Sequence, residues 1–355
     1  MKIYSLNPVA NYTKTGGNKL EGIIVETLNS INDSPVLVIT DEYLGVGSSK
    51  KDKLLSYWKN WRRISEADVI LTNISNRRLC FFLGFLKRRN PKITVLVTHH
   101  HFAFMTYNKP SLRKWFTKFF EMNILNSADI IAVSGQYTYE QTLKRFEKNR
   151  VFFTGVPIEK NVTSLSRKDH GELLFIGTIE PRKGLNYLVD ALAKVKENYH
   201  ISIAGNYSGH IGFYNSLLEK IRANGTAVKI EFLGRISDSE KEELLNKAYA
   251  FIFPTLNEGY GIVMLEAMGH GIPVIAFNNS SIPYIVKDHI NGLLVKNRNV
   301  DDLANKISYI LNNPSSVAEM GAEGLKTYEE AEDVQGFKDK ISELYYIVKG
   351  IHEGK

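Results

Sequence analysis

Short apolar runs alternate with amphipathic stretches along the whole chain of 355 residues. The short runs predict strands, and the longer stretches, with apolar residues every three to four positions, predict helices. Strands and helices that alternate in this way predict an α/β fold built on parallel sheets. The predicted strands are 3–6, 36–40, 69–72, 93–98, 130–134, 151–153, 173–176, 201–204, 230–233, 250–253, 274–277 and 292–295. The predicted helices include 20–31, 77–89, 112–125, 138–146, 185–195, 240–248, 261–268, 303–311 and 334–348.

The alternation falls into two halves. Between Gly155 and Gly171 the chain is polar and has little periodicity, which predicts a linker. A chain of this length is also too long for one typical hydrophobic core. We therefore expect two doubly wound domains, residues 1–158 and 159–333, whose strand ends face each other across a cleft that holds the ligands.

The strongest functional signal lies between the predicted strands 250–253 and 274–277. Glu258 precedes a Gly-x-Gly turn, and Glu266 follows eight positions later on the predicted helix. Backbone N–H groups at a helix start have no partner within the helix and bind anions. Two carboxylates beside an anion site suit a nucleotide sugar, which carries ribose and hexose hydroxyls on either side of a diphosphate. A solvated helix with chance acidic residues is the alternative, but the glycines on both sides of Tyr260 argue against it.

This stretch resembles the Glu-x7-Glu signature of the retaining family-4 (group 1) glycosyltransferases. The motif runs from Glu258-Gly259-Tyr260-Gly261 through Glu266-Ala267-Met268 to Gly271-Ile272-Pro273-Val274. The resemblance implies the GT-B fold, with two Rossmann-like domains and a C-terminal helix, about 334–355, that packs back on the first. It also implies that Glu258 contacts the donor sugar and that Glu266 binds the ribose. The residues expected to line the donor site between them are Gly259, Tyr260, Gly261, Ile262 and Val263.

A second motif follows the predicted strand 173–176, in the sequence Gly177-Thr178-Ile179-Glu180-Pro181-Arg182-Lys183-Gly184. Two adjacent cations at a strand-to-helix turn suit a diphosphate, because each charge-assisted hydrogen bond contributes about 1.5–3 kcal/mol. Taken alone, these residues could equally form an ordinary surface turn. The resemblance implies that Arg182 and Lys183 hold the donor diphosphate. Many members carry an arginine where this chain has Thr178, so Arg182 would supply that charge.

Two further loops are expected to contact the donor. The glycine pair Gly16-Gly17 lies in the predicted loop before a helix near Leu20, where glycine lets the backbone approach a phosphate closely. Arg235 and Ile236 follow the strand 230–233, and the matching loop of the family reads the base. An ordinary loop and an ordinary strand-to-helix turn are the alternatives.

Three consecutive histidines, His99-His100-His101, follow the strand 93–98. The family carries one histidine at this strand end, near the anomeric centre of the donor sugar; His99 is the best positional match and His100 the second. The alternative is that at least one imidazole only caps carbonyl groups at a domain interface. Side chains on extended backbone alternate in direction, so the three cannot bind one metal together. Because the chain also has no Asp-x-Asp, we expect no metal site and no cofactor, with a UDP- or GDP-linked sugar as substrate.

Charge and composition narrow the partners. The formal net charge of +7 favours an anionic partner. A single cysteine, Cys80, rules out an internal disulfide and fits a reducing cytosol. The N-terminus shows no signal-peptide pattern, and the most apolar run, 79–86, is shorter than the roughly 20 residues of a spanning helix. We therefore expect a cytoplasmic protein.

Basic and aromatic residues are interleaved at 58–63 and 113–120, with a further basic cluster at 87–89. Such helices lie in bilayer interfaces and bind anionic lipid, which predicts peripheral contact with the inner face of the plasma membrane. Packing of these aromatics in the core is the alternative. No nucleic-acid-binding motif accompanies the charges, so nucleic acid is not expected.

Together these features predict a retaining, metal-independent hexosyltransferase. It would move a hexose from a nucleotide-diphosphate sugar to a glycan or lipid-linked acceptor in surface polysaccharide or glycolipid synthesis. The resemblance implies no protein nucleophile, with the donor's own phosphate oxygen taking the acceptor proton. The alternatives are a nucleotide-sugar epimerase or phosphorylase on the same fold, or a non-catalytic partner subunit.

Overall fold

The structure is a computed structural model that describes residues 1–6, 16–41, 43–44, 49–107, 110–160, 168–224 and 229–355, without the side chains of 16–18, 50, 54 and 229. Its internal contacts divide the chain into two compact units. The first unit consists of Met1–Pro157 and Glu332–Lys355, and the second of Ile158–Ala331.

The first unit contains a six-stranded, all-parallel sheet with the strand order β2-β1-β3-β4-β5-β6. Its strands are β1 (Ile3–Ser5), β2 (Leu37–Val38), β3 (Val69–Asn73), β4 (Thr94–His99), β5 (Ile130–Val133) and β6 (Val151–Phe153). Between them lie α1 (Gly16–Ile31), α2 (Lys50–Lys59), α3 (Trp61–Ile64), α4 (Phe82–Arg89), α5 (Leu112–Ser127) and α6 (Gln136–Leu143).

The second unit contains another six-stranded parallel sheet, with the order β12-β11-β10-β7-β8-β9. Its strands are β7 (Glu172–Ile176), β8 (His200–Ala204), β9 (Lys229–Gly234), β10 (Ala250–Phe253), β11 (Val274–Phe277) and β12 (Gly292–Val295). Its helices are α7 (Leu185–Leu192), α8 (Ile211–Ala223), α9 (Asp238–Lys247), α10 (Ile262–Gly269), α11 (Ile282–Ile285), α12 (Val300–Asn312) and α13 (Pro314–Glu330).

The last helix, α14 (Val334–Glu353), lies against α1 and β4 of the first unit. Its apolar face is buried through Phe337, Ile341 and Leu344. On the same side, the Tyr345 hydroxyl donates to the side-chain oxygen of Asn32 at 3.0 Å. The amphipathic pattern of the sequence thus corresponds to a helix with one face in the core.

Each sheet contains strands that are buried on both faces. All residues of β3, β5, β10 and β11 are buried, as expected when helices cover a parallel sheet. For this reason the apolar runs locate every one of the twelve strands, with ends displaced by no more than two residues. The predicted helix 77–89 is the main difference, because it consists of a single 3-10 turn, Arg77–Leu79, followed by α4.

Candidate functional site

The glycine turn before α10 has the conformation that its sequence suggests. Gly261 caps the helix with a φ of 101°, in the left-handed region that glycine adopts without strain. The turn is held by the loop after β11: the backbone N–H of Glu258 donates to Ser280 Oγ at 2.9 Å, and Ser281 Oγ donates to the carbonyl of Gly259 at 2.6 Å. The backbone around Glu258 is therefore fixed from two sides.

The turn after β7 packs directly on the chain that follows β10. Gly184, with a φ of 72°, lies so close to this chain that an added Cβ would be 1.9 Å from the carbonyl oxygen of Pro254. The carbonyl of Arg182 accepts a hydrogen bond from the N–H of Leu256 at 2.8 Å. Because β7 and β10 are neighbours in the parallel sheet, the two turns meet at the carboxyl ends of their strands.

This contact brings the predicted cations and the first motif carboxylate together. Lys183 Nζ lies 2.6 Å from Glu258 Oε2, and Arg182 Nη1 lies 3.8 Å from the same oxygen. Arg182 also donates to the carbonyl of Asn257 at 2.9 Å and pairs with Glu180 at 2.5 Å. Glu180 is part of the site that sequence analysis did not single out, although it lies within the quoted motif.

Lys183 is the most buried of these charges. Only 8% of the residue is exposed, and its Nζ lies 4.7 Å from the centre of the Phe253 ring. Burial lowers the pKa of Lys183 below its ordinary value, while the Glu258 carboxylate acts in the opposite direction. A cation in such surroundings binds an anion more strongly than one in water, because the local dielectric constant is lower.

The second motif carboxylate has a different partner. Glu266, on α10, lies with Oε1 3.0 Å from Lys241 Nζ. Burial opposes the charge of Lys241, but the Glu266 carboxylate holds its pKa above the ordinary value. Lys241 belongs to α9, which begins with a capping box formed by Ser237 and Glu240. The sequence provided no signal for Lys241 beyond its place in that helix.

The predicted base-reading residues occupy the turn between β9 and α9. Gly234 has a φ of 66°, and Arg235, which follows it, is exposed. Ile236 is half-buried at the same turn. The structure thus places both residues in the connection that leads to the helix of Lys241.

The glycine pair of the first unit differs from its prediction. Gly16 and Gly17 lie in the first turn of α1, which begins at Gly16 and not near Leu20. Glycine is a poor helix former in the middle of a helix, but first-turn N–H groups have no helical partner in any sequence, so glycines are tolerated there. The part of the predicted loop that precedes Gly16, residues 7–15, lies outside the described residues.

His99 ends β4 and is fully buried. Its ring stands edge-on to Phe102 with the ring centres 4.3 Å apart. Among the residues that the structure describes, neither ring nitrogen has a hydrogen-bond partner. Burial lowers the pKa of His99 well below its ordinary value, and the nearby His101, His100 and Arg145 act in the same direction. The imidazole is therefore neutral at physiological pH.

His100 lies in a polar cluster that the sequence did not predict. Its Nδ1 is 3.0 Å from Ser134 Oγ, and its Nε2 is 3.9 Å from Glu21 Oε1. Glu21 comes from α1 and accepts a hydrogen bond from the Asn73 amide at 2.9 Å. Asn73, His100 and Ser134 lie at or just after the ends of β3, β4 and β5, and polar residues at such strand ends were the only signal available.

Within the described ranges, no group of three or more His, Cys, Asp or Glu side chains is arranged to hold a metal ion.

The structure brings Arg182, Lys183 and Glu258 together, and it brings Glu266 next to Lys241. His99 and His100 lie in the other unit.

Aromatic side chains are exposed on α5 and just before α4. These are Phe81, Trp115 and Phe116, and together with the exposed aliphatic Leu112 we call them the aromatic surface. Beside it, a shallow groove of about 240 Å³ is lined by Trp115, Lys118, Phe119, Met122 and Asn123. No helix in the described part of the chain is long and apolar enough to span a bilayer.

Glu121, on the opposite face of α5, holds the segment after the histidines. Its carboxylate accepts from the backbone N–H groups of Ala103 at 3.0 Å and Phe104 at 3.4 Å. Burial raises the pKa of Glu121 to about 7, against the opposing effects of these hydrogen bonds and of the charge of Arg77.

The chain is similar to known glycosyltransferases. Residues 158–327 match the family model described as glycosyl transferases group 1. An uncharacterized glycosyltransferase of Methanocaldococcus jannaschii is 31% identical over 229 residues, 64% of this chain and 62% of that protein. The O-antigen chain mannosyltransferase B of Escherichia coli is 32% identical over 146 residues, 41% of this chain and 38% of that protein. Both matches thus span less than two thirds of the relative.

A longer match is to a Corynebacterium glutamicum enzyme named GDP-mannose-dependent monoacylated alpha-(1-6)-phosphatidylinositol monomannoside mannosyltransferase. It is 27% identical over 282 residues, 72% of this chain and 70% of the relative. Among solved structures, Anabaena HepE in complex with UDP and glucose superposes with a TM-score of 0.76 at 17% identity, over 98% of this chain and 99% of that one. At this identity the likeness shows the fold alone, and it confirms the predicted GT-B fold.

The burial of Glu121 leads to a pH-dependent stability. A carboxyl group whose pKa is raised in the folded state stabilises the fold below its unfolded pKa, and that contribution is lost as the pH rises through the folded value. From an ordinary value of 4.5 to about 7, the loss amounts to about 3 kcal/mol. We expect Glu121→Gln to unfold with a higher free energy than the wild type at about pH 9, and with no such advantage at about pH 5. Urea titrations at the two pH values measure the difference in free energy of unfolding between the variant and the wild type. The same difference at both pH values would show that Glu121 is not buried as a proton-binding group.

Proposed function

We propose that the chain, whose residues 158–327 match the family model of the group 1 glycosyl transferases, transfers a hexose from a nucleotide-diphosphate sugar, UDP- or GDP-linked, with retention of configuration. The acceptor is a glycan or a lipid-linked glycan in surface polysaccharide or glycolipid synthesis. The names of two relatives, an O-antigen mannosyltransferase and a GDP-mannose-dependent enzyme acting on a phosphatidylinositol mannoside, support this class of reaction.

One observation carries the proposal: Lys183 and Arg182 converge on Glu258 beside the turn of Gly261. A diphosphate needs fixed positive charge, and a hexose needs a hydrogen-bond acceptor beside it. This cluster supplies both within a few ångströms. An acidic helix with a chance basic turn would not place a nearly buried lysine against a motif carboxylate.

The roles follow from the chemistry of each group. Arg182 and Lys183 hold the diphosphate and stabilise the charge that develops on it as the glycosidic bond breaks. Glu266 accepts the ribose hydroxyls, with Lys241 holding it in place through their 3.0 Å contact. Glu258 accepts hydroxyls of the donor hexose, and the turn of Arg235 and Ile236 borders the base.

No protein nucleophile is assigned to the reaction. The released phosphate oxygen of the donor is the base that takes the proton of the attacking acceptor hydroxyl, on the same face of the sugar. The neutral imidazole of His99 supports the anomeric region without adding charge. In this proposal the backbone N–H groups of Gly16 and Gly17, at the start of α1, bind the donor phosphates.

Release of UDP or GDP from a panel of nucleotide sugars tests the proposed activity directly. Retention is read from the anomeric configuration of the product by NMR.

We expect Arg182→Ala to lower kcat at least about tenfold, because a lost charge-assisted contact costs about 1.5–3 kcal/mol. Lys183→Ala should lower it as much, and should also reduce stability, because it leaves Glu258 nearly buried without its cation. The matched control is Lys194→Ala, since Lys194 pairs with Asp301 on the surface of the same unit. Steady-state rates and thermal melts distinguish the effects. Normal turnover in both site variants would remove the cations from the mechanism.

We propose that transfer requires no metal ion, because Arg182 and Lys183 already provide two fixed positive charges for the diphosphate. Excess EDTA is therefore expected to leave the rate unchanged, measured with enzyme dialysed against the chelator. Loss of activity that Mg²⁺ or Mn²⁺ restores would contradict this expectation and would assign the leaving-group charge to a metal.

We also propose that the aromatic surface contacts an anionic membrane, together with the exposed Arg113 and Lys118 beside it. Lys114 contributes less than the sequence suggests, since its Nζ donates to the carbonyl of Tyr107 at 2.9 Å. An amphipathic helix of this kind binds through its apolar residues and through attraction of its cations to anionic lipid.

For this surface we expect the double substitution Trp115→Ser with Phe116→Ser to lower partitioning into phosphatidylglycerol vesicles at least about tenfold, from about 1.5–3 kcal/mol per buried aromatic. Tyr346→Ser with Ile347→Ser is the control, because these residues are exposed on α14 of the same unit. Vesicle flotation at low and high salt measures both. Wild-type protein that stays in solution at low salt would mean that the aromatic surface has another use.

A further inference from the structure

We propose that Glu21 and His100 form a binding site for one hydroxyl group of a neutral carbohydrate acceptor, and that the Glu21 carboxylate disfavours acceptors with a phosphate or carboxylate beside that hydroxyl. The inference rests on the proposed function and specifies its acceptor class. It concerns only side chains of the first unit.

The carboxylate of Glu21 is held firmly in place. Its Oε1 accepts from the Asn73 amide at 2.9 Å and from the Thr98 hydroxyl at 3.4 Å. The residue is only 9% exposed, although it is charged and lies on a helix. Side chains from two neighbouring strand ends therefore orient one carboxylate at the carboxyl edge of the sheet, where ligands of α/β proteins bind.

The imidazole beside it has an unused hydrogen-bonding atom. His100 Nδ1 contacts Ser134 Oγ, whereas the buried Nε2 has no hydrogen-bond partner among the described residues. Buried polar atoms without a partner are rare and costly. When the Ser134 hydroxyl donates to Nδ1, the proton of the neutral ring is on Nε2, which can then donate to a ligand.

The gap between the two groups matches one hydroxyl. Glu21 Oε1 and His100 Nε2 are 3.9 Å apart, which is too long for a direct hydrogen bond. An oxygen placed about 2.8 Å from each atom spans this distance with ordinary geometry. A sugar hydroxyl has the required pair of functions, because it donates to the carboxylate and accepts from the imidazole N–H.

The charge of the cluster selects against anions. Within 4.0 Å of the Glu21 carboxylate, His100 is the only cationic or titratable basic side chain in the part of the chain that the structure describes. In the second unit, by contrast, Glu258 lies against both Lys183 and Arg182. A carboxylate without a lysine or arginine attracts hydroxyl donors and repels a phosphate, which is specificity through an unfavourable contact with the wrong ligand.

The test uses ligand binding, so that it does not depend on transfer. Saturation-transfer NMR measures the affinity of the wild type for a panel of methyl hexosides and for the same hexosides carrying a 6-phosphate. We expect at least one neutral hexoside to bind at least about tenfold more tightly than its phosphate. Glu21→Gln, which keeps the shape of the side chain, should lower the affinity for that hexoside about tenfold or more. It should also reduce the ratio between the affinities for the hexoside and for its phosphate.

The control is Glu26→Gln on the same helix, because Glu26 is exposed and pairs with Lys338 at 3.4 Å. This variant should bind the hexosides like the wild type. Should Glu21→Gln fail to fold, Ser134→Ala is the second variant, because it removes the hydroxyl that contacts Nδ1 of His100. It should lower the affinity for the same hexoside severalfold. Tighter binding of the phosphates, binding of no neutral hexoside, or unchanged affinity in Glu21→Gln would each overturn the inference. Release of nucleoside diphosphate from the donor without an acceptor reports separately on the proposed function.

Discussion

The contact between Lys183 and Glu258 depends on how closely two turns approach each other. The turn after β7 can lie against the chain after β10 only because Gly184 has no side chain to meet the carbonyl of Pro254. An ion pair that is nearly buried is expensive to desolvate, and it is tolerated where the partners are held at short range. Any change that separated the two turns would therefore leave a charged group in apolar surroundings, so the fold of the second unit and the chemistry of its site depend on the same contact.

The two units have parallel sheets with different strand orders, and the ends of their strands carry opposite charge. In each, the relevant side chains come from the carboxyl ends of neighbouring parallel strands, where the loops converge. The second unit collects lysine and arginine around a carboxylate. The first collects the carboxylate of Glu21, an amide, a hydroxyl and the imidazole of His100, and among the described residues no lysine or arginine lies within 4.0 Å of that carboxylate. This difference is the physical basis for assigning the anionic part of the donor to one unit and a neutral hydroxyl to the other.

Burial also explains why the histidines differ from one another. His99 and His100 are consecutive, but alternation along β4 and its end directs the first into the core and the second toward Ser134 and Glu21. The apolar surroundings keep His99 neutral. The sequence alone favoured His99 over His100 by position, and it could not show that a helix would bring a carboxylate next to the second ring.

Much of this protein was determined by local sequence. Runs of buried apolar residues located the strands, since a parallel strand covered on both faces needs no alternation. The glycines at 259 and 261, with the carboxylates at 258 and 266, located the turn before α10. The glycine pair Gly16-Gly17 predicted a loop where α1 already begins, because glycine usually indicates a loop. Only the tertiary structure decided that Glu258 meets Lys183, that Lys241 meets Glu266 and that Glu21 meets Asn73, 52 positions away. The reason is that periodicity and glycine conformation are properties of a few consecutive residues, whereas a distance, a degree of burial or a shifted pKa depends on which strands become neighbours in the sheet.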